Sequence, residues 1–304
     1  MRHAEARRAV SRECAVLMKD ARTAVGYADD PEGEDGGSGP VPLTELREAL
    51  AAARIRTLYQ PIVRMADRMP VAVEVLARLA HPTRGIVAPD LFVPQIEDAG
   101  LALDLTEEVG RAAFADWAGN RLARAHLSLG LNFPLDVLLM PAALDWLDAT
   151  REAAGVPARH VTIELTESRP VSHQRELAAA VARLRRLGYR LAIDDVGPAL
   201  RDHRSLLDMA FSTVKLDKGV VGEALHCPAA RAFVEQAIAA AHDADMDVVA
   251  EGIATPAHWA RMADLGADMA QGYLVARPLA ASQVAGWQRG WVGQTVGVQG
   301  PATA

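Results

Sequence analysis

The sequence is poor in cysteine, in lysine and in long apolar runs. Its two cysteines, Cys14 and Cys227, are too few for a disulfide framework and lack metal-type spacing. No segment approaches the roughly 18 uncharged apolar residues of a membrane helix. The N-terminal residues are charged throughout, unlike the apolar core of a signal peptide. These absences predict a protein of a reducing, cytoplasmic compartment that does not bind membranes.

An excess of positive charge is also absent. The formal charge is −7 and the isoelectric point is near 5.7, which argues against general nucleic-acid binding. Half of the 304 residues are hydrophobic and 23% are charged, as in globular proteins able to bury a substantial core. Lysine occurs only as Lys19, Lys215 and Lys218, and the other basic residues are arginine.

The chain divides into four segments where its composition changes. Residues 1–28 have the apolar spacing of an amphipathic helix, which we expect to pack on the main domain or on a partner protein. Residues 29–43 are an acidic linker rich in glycine and proline. Residues 44–285 are the expected main domain, opened by a helix that Thr44 caps. Residues 286–304 are a tail for which the sequence predicts no clear structure.

Short β-branched runs alternate with amphipathic segments through the main domain. The predicted strands are 57–63, 71–76, 127–132, 161–165, 191–195, 212–217, 247–252 and 269–273. The clearest predicted helices are 174–187, 229–244 and 256–265. This alternation predicts an α/β fold, a (β/α)8 barrel of the TIM type with a short N-terminal helical extension. An open doubly wound sheet is the alternative, but its glycine-rich phosphate turns are missing.

Polar residues stand at the ends of the predicted strands. The carboxyl ends of parallel strands converge on one face of a barrel, where barrel enzymes carry out their chemistry. A single acid after a strand is usually a helix cap or a solvated loop residue. Seven polar strand ends in one sheet instead favour a shared site. These residues are Glu74, Asn132, Glu164, Asp194 with Asp195, Lys215, Glu251 and Gln271.

Carboxylates crowded on one rim would repel one another unless a cation lay among them. Oxygen ligands without histidine or cysteine favour Mg²⁺ or Mn²⁺ over zinc. Adjacent Asp194 and Asp195 would let one carboxylate bridge two ions, and pairs of ions about 3.5–4 Å apart hydrolyse phosphodiesters. Lys215 would donate to a phosphate oxygen or to a metal-bound hydroxide. The residues therefore predict a metal-dependent barrel hydrolase acting on a phosphate ester.

The strand ends also carry recognisable motifs. The segment Glu74-Val75-Leu76-Ala77-Arg78 resembles the pattern E-A-L-x-R, with Val75 in place of its alanine. Further matches are Tyr59-Gln60-Pro61, His81-Pro82, Phe92-Val93-Pro94, Glu164-Leu165-Thr166-Glu167-Ser168, Asp194-Asp195-Val196-Gly197, Lys215-Leu216-Asp217, Ala250-Glu251-Gly252, Gln271-Gly272-Tyr273 and Arg277-Pro278. Over about residues 44–282 the chain resembles the EAL domain family, cyclic di-GMP phosphodiesterases with a modified (β/α)8 barrel and two Mg²⁺ or Mn²⁺ ions.

The resemblance implies a role for each matching residue. The metal ligands would be Glu74, Asn132, Glu164, Asp194 and Asp195, with Asp194 bridging the two ions. The catalytic residues would be Lys215 and Glu251, which position the attacking water, and Glu167, which anchors the loop after Asp195. The substrate-binding residues would be Gln60, Leu76, Arg78, Gln271 and Arg277. The implied reaction linearises cyclic di-GMP to pGpG in bacterial second-messenger signalling.

The loop after the paired aspartates departs from the family pattern. The family has D-D-F-G-T-G-Y-S-S, whereas residues 194–202 read D-D-V-G-P-A-L-R-D. Proline in place of threonine and alanine in place of the second glycine restrict the backbone. In the family this loop supports the second metal and a homodimer contact. Efficient turnover is therefore in question, although the metal ligands are retained.

Three functions follow as hypotheses. The first is metal-dependent hydrolysis of cyclic di-GMP. The second is a catalytically weak or inactive domain that serves as a cyclic di-GMP receptor or a protein-interaction module. The third is hydrolysis of a different phosphate ester. Residues 17–25 also resemble the last helix of a GGDEF (diguanylate cyclase) domain, which makes residues 1–28 a candidate remnant of one.

Overall fold

The structure is a computed structural model, and it describes residues 39–119, 122–166, 173–198 and 206–297. The predicted N-terminal helix, most of the acidic linker, Glu167 and residues 199–205 lie outside the described residues. The strands are β1 (Ile55–Arg64), β2 (Pro70–His81), β3 (Gly85–Val87), β4 (Ser128–Pro134), β5 (Val161–Thr166), β6 (Arg190–Val196), β7 (Thr213–Leu216), β8 (Asp247–Ala250) and β9 (Met269–Gln271). The helices are α1 (Leu43–Ala51), α2 (Val93–Asp98), α3 (Ala102–Ala118), α4 (Leu135–Leu138), α5 (Pro141–Ala153), α6 (Gln174–Leu187), α7 (Lys218–Glu223), α8 (Pro228–Asp243), α9 (Pro256–Leu265) and α10 (Ala281–Gly297).

All of the described strands except β3 close into a barrel, as the sequence predicts. Their order around the ring is β1-β9-β8-β7-β6-β5-β4-β2, and pairing between β1 and β2 completes it. Neighbours from β2 round to β9 are parallel, whereas β1 is antiparallel to both β2 and β9. The predicted modified barrel is therefore confirmed, and its modification is the reversed first strand.

Strand β2 is longer than predicted, so Glu74 does not stand at a strand end. It runs for 12 residues, from Pro70 to His81. Its second half extends beyond the ring, where Leu79 lies opposite Ile55 of β1 and Val87 of β3. Residues 77–81 include two alanines and an arginine, which have weak strand propensity. Pairing on both sides is what makes them extended, and the sequence does not reveal that pairing.

The predicted helices at 174–187 and 256–265 are confirmed as α6 and α9, and α8 is shifted by one residue from its prediction. The predicted cap of α1 by Thr44 is wrong. The helix begins at Leu43, directly after Pro42, without a side-chain cap. Proline fixes φ near the value that a helix needs at its start. The helix therefore begins at Leu43, before the predicted cap residue Thr44.

The C-terminal segment is helical, contrary to the expected absence of structure after residue 285. Helix α10 runs from Ala281 to Gly297. Trp287 donates its indole N–H to Val275 O (3.2 Å), Trp291 donates to Arg68 O (2.7 Å), and the two rings stack. Glycines such as Gly286 weaken the helical signal in the sequence, and packing of the two indoles overrides it.

Two hydrophobic cores hold these elements together. The larger core lies between the barrel and its surrounding helices. The smaller core lies beneath α1 and includes Leu46, Ile55, Leu79, Phe92 and Ile96, so α1 and the β2–β3 hairpin pack as one unit. Within the described ranges, no helix has both the length and the apolar character needed to cross a membrane.

Candidate active site

Charged side chains from several strands meet at the end of the barrel where the parallel strands terminate. We call Lys215 and the surrounding acids the Lys215 cluster; the acids are Glu74, Glu164, Asp194, Asp195 and Glu251. The Lys215 ammonium lies 2.8 Å from a carboxylate oxygen of each of Glu164, Asp194 and Glu251. Its distance to Glu74 is 3.5 Å, and Lys215 is only 2% exposed. The structure thus brings together residues up to 177 positions apart in sequence (251 − 74).

Three amide side chains extend the Lys215 cluster by hydrogen bonds. Asn132 donates to one carboxylate oxygen of Glu74 (2.9 Å), and Gln271 donates to the other (2.6 Å). Gln271 also donates to the Gln60 side-chain oxygen (3.2 Å), and Gln60 in turn donates to the Ala276 carbonyl (3.2 Å). Both oxygens of Glu74 are therefore fixed by amides from β4 and β9.

A bulge in β6 explains why two adjacent aspartates reach the same site. Successive strand residues normally point to opposite faces. In the β6–β7 ladder Ile193 pairs with Val214 and Val196 pairs with Leu216, so β6 holds one extra residue. Asp195 takes that position with a left-handed backbone (φ +52°), a conformation that aspartate tolerates better than most residues. The bulge turns Asp195 toward the group that contains Asp194.

Gly130 makes room for Glu164, a role that the sequence motifs do not indicate. A Cβ atom at Gly130 would lie 2.1 Å from a carboxylate oxygen of Glu164. Gly130 pairs with Glu74 on one side and with Thr162 on the other, so it lies between two acid-bearing strands. A glycine inside a strand often marks a position where another group approaches the backbone closely. This is the signal in the sequence that could have indicated the role of Gly130.

We expect Gly130→Ala to weaken divalent-ion binding by roughly 10–100-fold, because the new methyl group displaces the Glu164 carboxylate. The overpacked barrel should also lose about 1–3 kcal/mol of stability. Calorimetric titration with Mn²⁺ and urea unfolding would measure the two effects. Gly222→Ala is the matched control, since no atom outside the neighbouring helix backbone lies within 4 Å of the point that its new methyl group would occupy. Equal Mn²⁺ affinity for Gly130→Ala and the unmodified protein would contradict the expectation.

The Lys215 cluster carries more negative charge than its single lysine can balance. Burial raises the pKa of Glu164 to about 8, against the opposing effect of Lys215. Burial also raises the pKa of Glu251 well above its ordinary value. Asp195 lies at the exposed rim, where loss of hydration at its carboxyl group and the charges of Asp194 and Asp217 raise its pKa to about 6.

Glu74 and Lys215 are shifted toward their charged forms. Burial alone would raise the pKa of Glu74, but Lys215 and the amide hydrogen bonds lower it. Burial likewise opposes the charge on Lys215, yet the surrounding carboxylates raise its pKa well above the usual range. The lysine therefore stays protonated. Because one ammonium cannot balance all of the carboxylates, the pKa values of acids such as Glu164, Asp195 and Glu251 rise.

The stability of the metal-free protein should fall as pH rises from 5 to 8. The pKa of Glu164 is about 8 in the fold against an ordinary value of 4.5. Folded protein therefore holds a proton that the unfolded chain has released, and this stabilisation is lost as pH rises toward 8. Melting temperatures in a chelating buffer would measure the trend. We expect Glu164→Gln to flatten it, whereas the exposed Glu48→Gln should leave it unchanged; identical slopes for both variants would contradict the assignment.

The acids form two groups, each suited to a hard divalent cation. Glu74, Glu164 and Asp194 have oxygens within 4.8 Å of one another, and so do Asp194, Asp195 and Glu251. Asp194 belongs to both groups. The buried side-chain oxygen of Asn132 makes no hydrogen bond within the described residues and is a further available ligand. An all-oxygen donor set with excess negative charge fits Mg²⁺ or Mn²⁺.

The remaining predicted residues lie around the Lys215 cluster or outside the described ranges. Leu76 and Arg78 share a face of β2 with Glu74 because strand side chains alternate. Arg78 is 7% exposed and donates to the Ala77 carbonyl. Arg277 is exposed and stacks over the Tyr273 ring at 4.4 Å. Glu167 is outside the described residues, so its predicted role stays a prediction.

The fold and the site define the class of protein. It is a (β/α)8 barrel with a reversed first strand, whose carboxyl end bears acids, amides and one buried lysine. A sequence model of the EAL domain matches residues 43–278. The chain belongs to the EAL domain family, as its motifs indicate.

Individual relatives agree with this assignment. The cyclic di-GMP phosphodiesterase NbdA of Pseudomonas aeruginosa is 32% identical over 239 residues, which cover 77% of this chain and 30% of NbdA. The solved PaMucR phosphodiesterase complex with c-di-GMP is 26% identical, with a TM-score of 0.74 over 80% of this chain and 98% of that one. The FimX EAL domain of Pseudomonas aeruginosa bound to c-di-GMP is 23% identical, with a TM-score of 0.70 over 78% and 96% of the two chains, and supports the fold alone.

The chain is shorter than the curated relatives that it matches. It spans 30% of NbdA and 42% of the phosphodiesterase PA2567, also from Pseudomonas aeruginosa. The matched part is the EAL domain, so the comparisons concern this domain and its site.

Proposed function

We propose that the protein hydrolyses cyclic di-GMP to pGpG with the help of two Mg²⁺ or Mn²⁺ ions. The observation that carries the proposal is the presence of two sets of three acidic residues that have Asp194 in common. A shared ligand holds two ions close together, as phosphodiester hydrolysis requires. The names of NbdA and of the PaMucR complex support cyclic di-GMP as the substrate.

In this proposal the two ion sites divide the acids and the amide between them. Glu74, Asn132, Glu164 and Asp194 would hold one ion, and Asp194 with Asp195 would hold the other. When bound, such ions withdraw charge from phosphoryl oxygens and lower the pKa of a water. This arrangement also explains the raised pKa values of Glu164 and Asp195, because a divalent cation would replace the protons that these acids otherwise hold.

The other side chains of the site would position the water and the nucleotide. Lys215 and Glu251 lie 2.8 Å apart, so the ammonium can donate to a phosphoryl oxygen while the carboxylate orients the attacking water. Arg78 and Arg277 would contact phosphate, to which guanidinium groups bind in a forked geometry. Gln60 would contact the guanine. The water oxygen forms a bond to phosphorus, the bond to the ribose 3′ oxygen breaks, and the water's proton passes to that leaving oxygen.

A turnover assay tests the proposal directly. The purified chain is incubated with cyclic di-GMP and either Mg²⁺ or Mn²⁺, and products are separated by liquid chromatography. We expect pGpG to form, and we expect Glu74→Ala to abolish its formation. Glu48→Ala, an exposed glutamate on α1, serves as the matched control. No pGpG with either ion at saturating substrate would refute the proposed activity.

The altered loop favours a second candidate function, a cyclic di-GMP receptor or protein-interaction module with little or no turnover. Residues 198–202 read P-A-L-R-D where the family has T-G-Y-S-S. This function predicts nucleotide binding by calorimetry without product. Restoring T-G-Y-S-S at residues 198–202 distinguishes the two functions: a large gain in rate would show that the loop limits a competent site. The homodimer contact implied for this loop and the cytoplasmic location stay predictions.

A further inference from the structure

A cavity opens at the end of the barrel opposite the Lys215 cluster. Its volume is about 350 Å³, and the starts of the parallel strands and the β1–β2 turn line it. Residues from the strand starts include Ser128, Thr162, Arg190, Thr213, Asp247 and Met269. Asn132, Asp194 and Glu251, at the carboxyl end, are not among the described residues that line it. We call this space the amino-end cavity.

The amino-end cavity exists because the inner wall of the barrel carries small side chains at this level. TIM-type barrels are usually filled there by layers of bulky branched residues. Here the wall has Ala72, Gly130 and Ala192, together with the hydroxyl residues Thr162 and Thr213. None of these side chains is long enough to fill the middle of the ring, so space remains.

The wall of the amino-end cavity is mainly apolar but carries several polar groups that can bind water. The hydroxyl residues Ser128, Thr162 and Thr213 line the cavity. Near its mouth Arg190 donates to Asp247 at 2.9 Å. Roomy cavities with several polar partners are occupied by water, whereas dry cavities are apolar.

The inner end of the amino-end cavity reaches the back of the Lys215 cluster. Glu164 and Lys215 line the cavity and are each 2% exposed. These two side chains therefore separate the cavity from the carboxyl end of the barrel. We propose that the amino-end cavity is a solvent-filled chamber through which water and small polar solutes reach Glu164 and Lys215 from the amino-terminal end of the barrel.

This chamber would serve a function that the carboxyl end cannot serve while a nucleotide covers it. Water could reach the buried side of the Lys215 cluster through the opposite end of the ring. The chamber itself is defined by the barrel wall, so the proposal stands or falls independently of cyclic di-GMP hydrolysis.

Cysteine accessibility tests the proposal without any activity assay. Thr162→Cys, at a half-buried position of the cavity wall, is made in a background with Cys14 and Cys227 replaced by serine. Its reaction with a small, charged methanethiosulfonate reagent is followed by mass spectrometry. We expect labelling at least about tenfold faster than for Ala113→Cys, which is buried in the main core and reacts only through opening of the fold. If Thr162→Cys fails to fold, Ser128→Cys, also half-buried in the cavity wall, replaces it. Labelling no faster than at position 113 would refute the chamber.

Two further substitutions determine which end the reagent enters. Ala66 lies exposed in the β1–β2 turn and lines the amino-end cavity, so Ala66→Trp should obstruct its mouth. Leu76 lies toward the carboxyl end on β2, so Leu76→Trp should narrow access from the other side. We expect Ala66→Trp to slow the labelling of Thr162→Cys several-fold and Leu76→Trp to leave that labelling rate unchanged. The reverse pattern would show that solvent enters from the carboxyl end and would overturn the proposal.

Discussion

Replacing Asp194 with asparagine should abolish the proposed metal-dependent hydrolysis of cyclic di-GMP while leaving the fold intact. Asp194 belongs to both sets of three acidic residues, so its loss affects both proposed ion sites. Mutations that only disturb the orientation of a metal ligand reduce activity roughly 10–100-fold, and loss of a shared ligand should reduce it by about 10³-fold or more.

Stability separates this effect from simple unfolding. Asparagine removes one negative charge from a cluster that has too many, while Lys215 keeps its ion pairs with Glu164 and Glu251. The melting temperature of metal-free Asp194→Asn should therefore stay close to that of the unmodified protein. Asp243→Asn, on the exposed end of α8, is the control for both measurements. An active Asp194→Asn variant would exclude the shared-ligand arrangement.

Replacing Lys215 with methionine should destabilise the metal-free protein by about 3–5 kcal/mol, the range for removing one partner of a buried ion pair. Methionine has a similar length but no charge, so Glu164, Asp194 and Glu251 would lose the ammonium that lies 2.8 Å away. The loss should be larger at pH 8 than at pH 5, because at low pH these acids can take up protons instead. Urea unfolding in a chelating buffer at both pH values measures it.

Divalent ions should rescue much of this loss. A cation among the acids would supply the positive charge that Lys215→Met removes, so Mn²⁺ should raise the melting temperature of the variant more than that of the unmodified protein. Turnover should remain low, since the ion does not replace the ammonium as a donor. Lys218→Met, at the start of α7, is the matched control. If Lys215→Met and the unmodified protein had equal stability at pH 8 without metal, the lysine would not be balancing the acids.

Much of the barrel is predictable because its strands are short and strongly patterned. Segments such as Val161–Thr166 are short runs rich in β-branched residues between amphipathic helices, so their type and order follow from local sequence. The site residues follow from the same pattern, since parallel strands place their carboxyl ends together. The reversed direction of β1 does not follow from the alternation of strand and helix patterns. Only the family resemblance, which implies a modified barrel, indicates a departure from the regular fold.

The features that escape prediction depend on partners distant in sequence. The left-handed backbone of Asp195 depends on the bulge of β6 against β7. The need for glycine at position 130 is evident only once Glu164 is seen to lie against it. Helix α10 depends on indole contacts with Val275 and Arg68. The amino-end cavity likewise cannot be predicted from the sequence, because it results from small residues on several strands that face each other across the ring.

The reversed strand β1 has a consequence for how the chain folds. It closes the ring by pairing with β9, and the hydrogen bond between Gln271 and Gln60 joins residues 211 positions apart. Pairing over such a separation gives a high contact order, which slows folding because the intervening chain must be ordered first. During synthesis the ring cannot close until the last strand has emerged. Gln60 and Glu74 therefore acquire their Gln271 partner only at closure, and a chain interrupted before β9 would expose the edges of β1 and β8 as templates for aggregation.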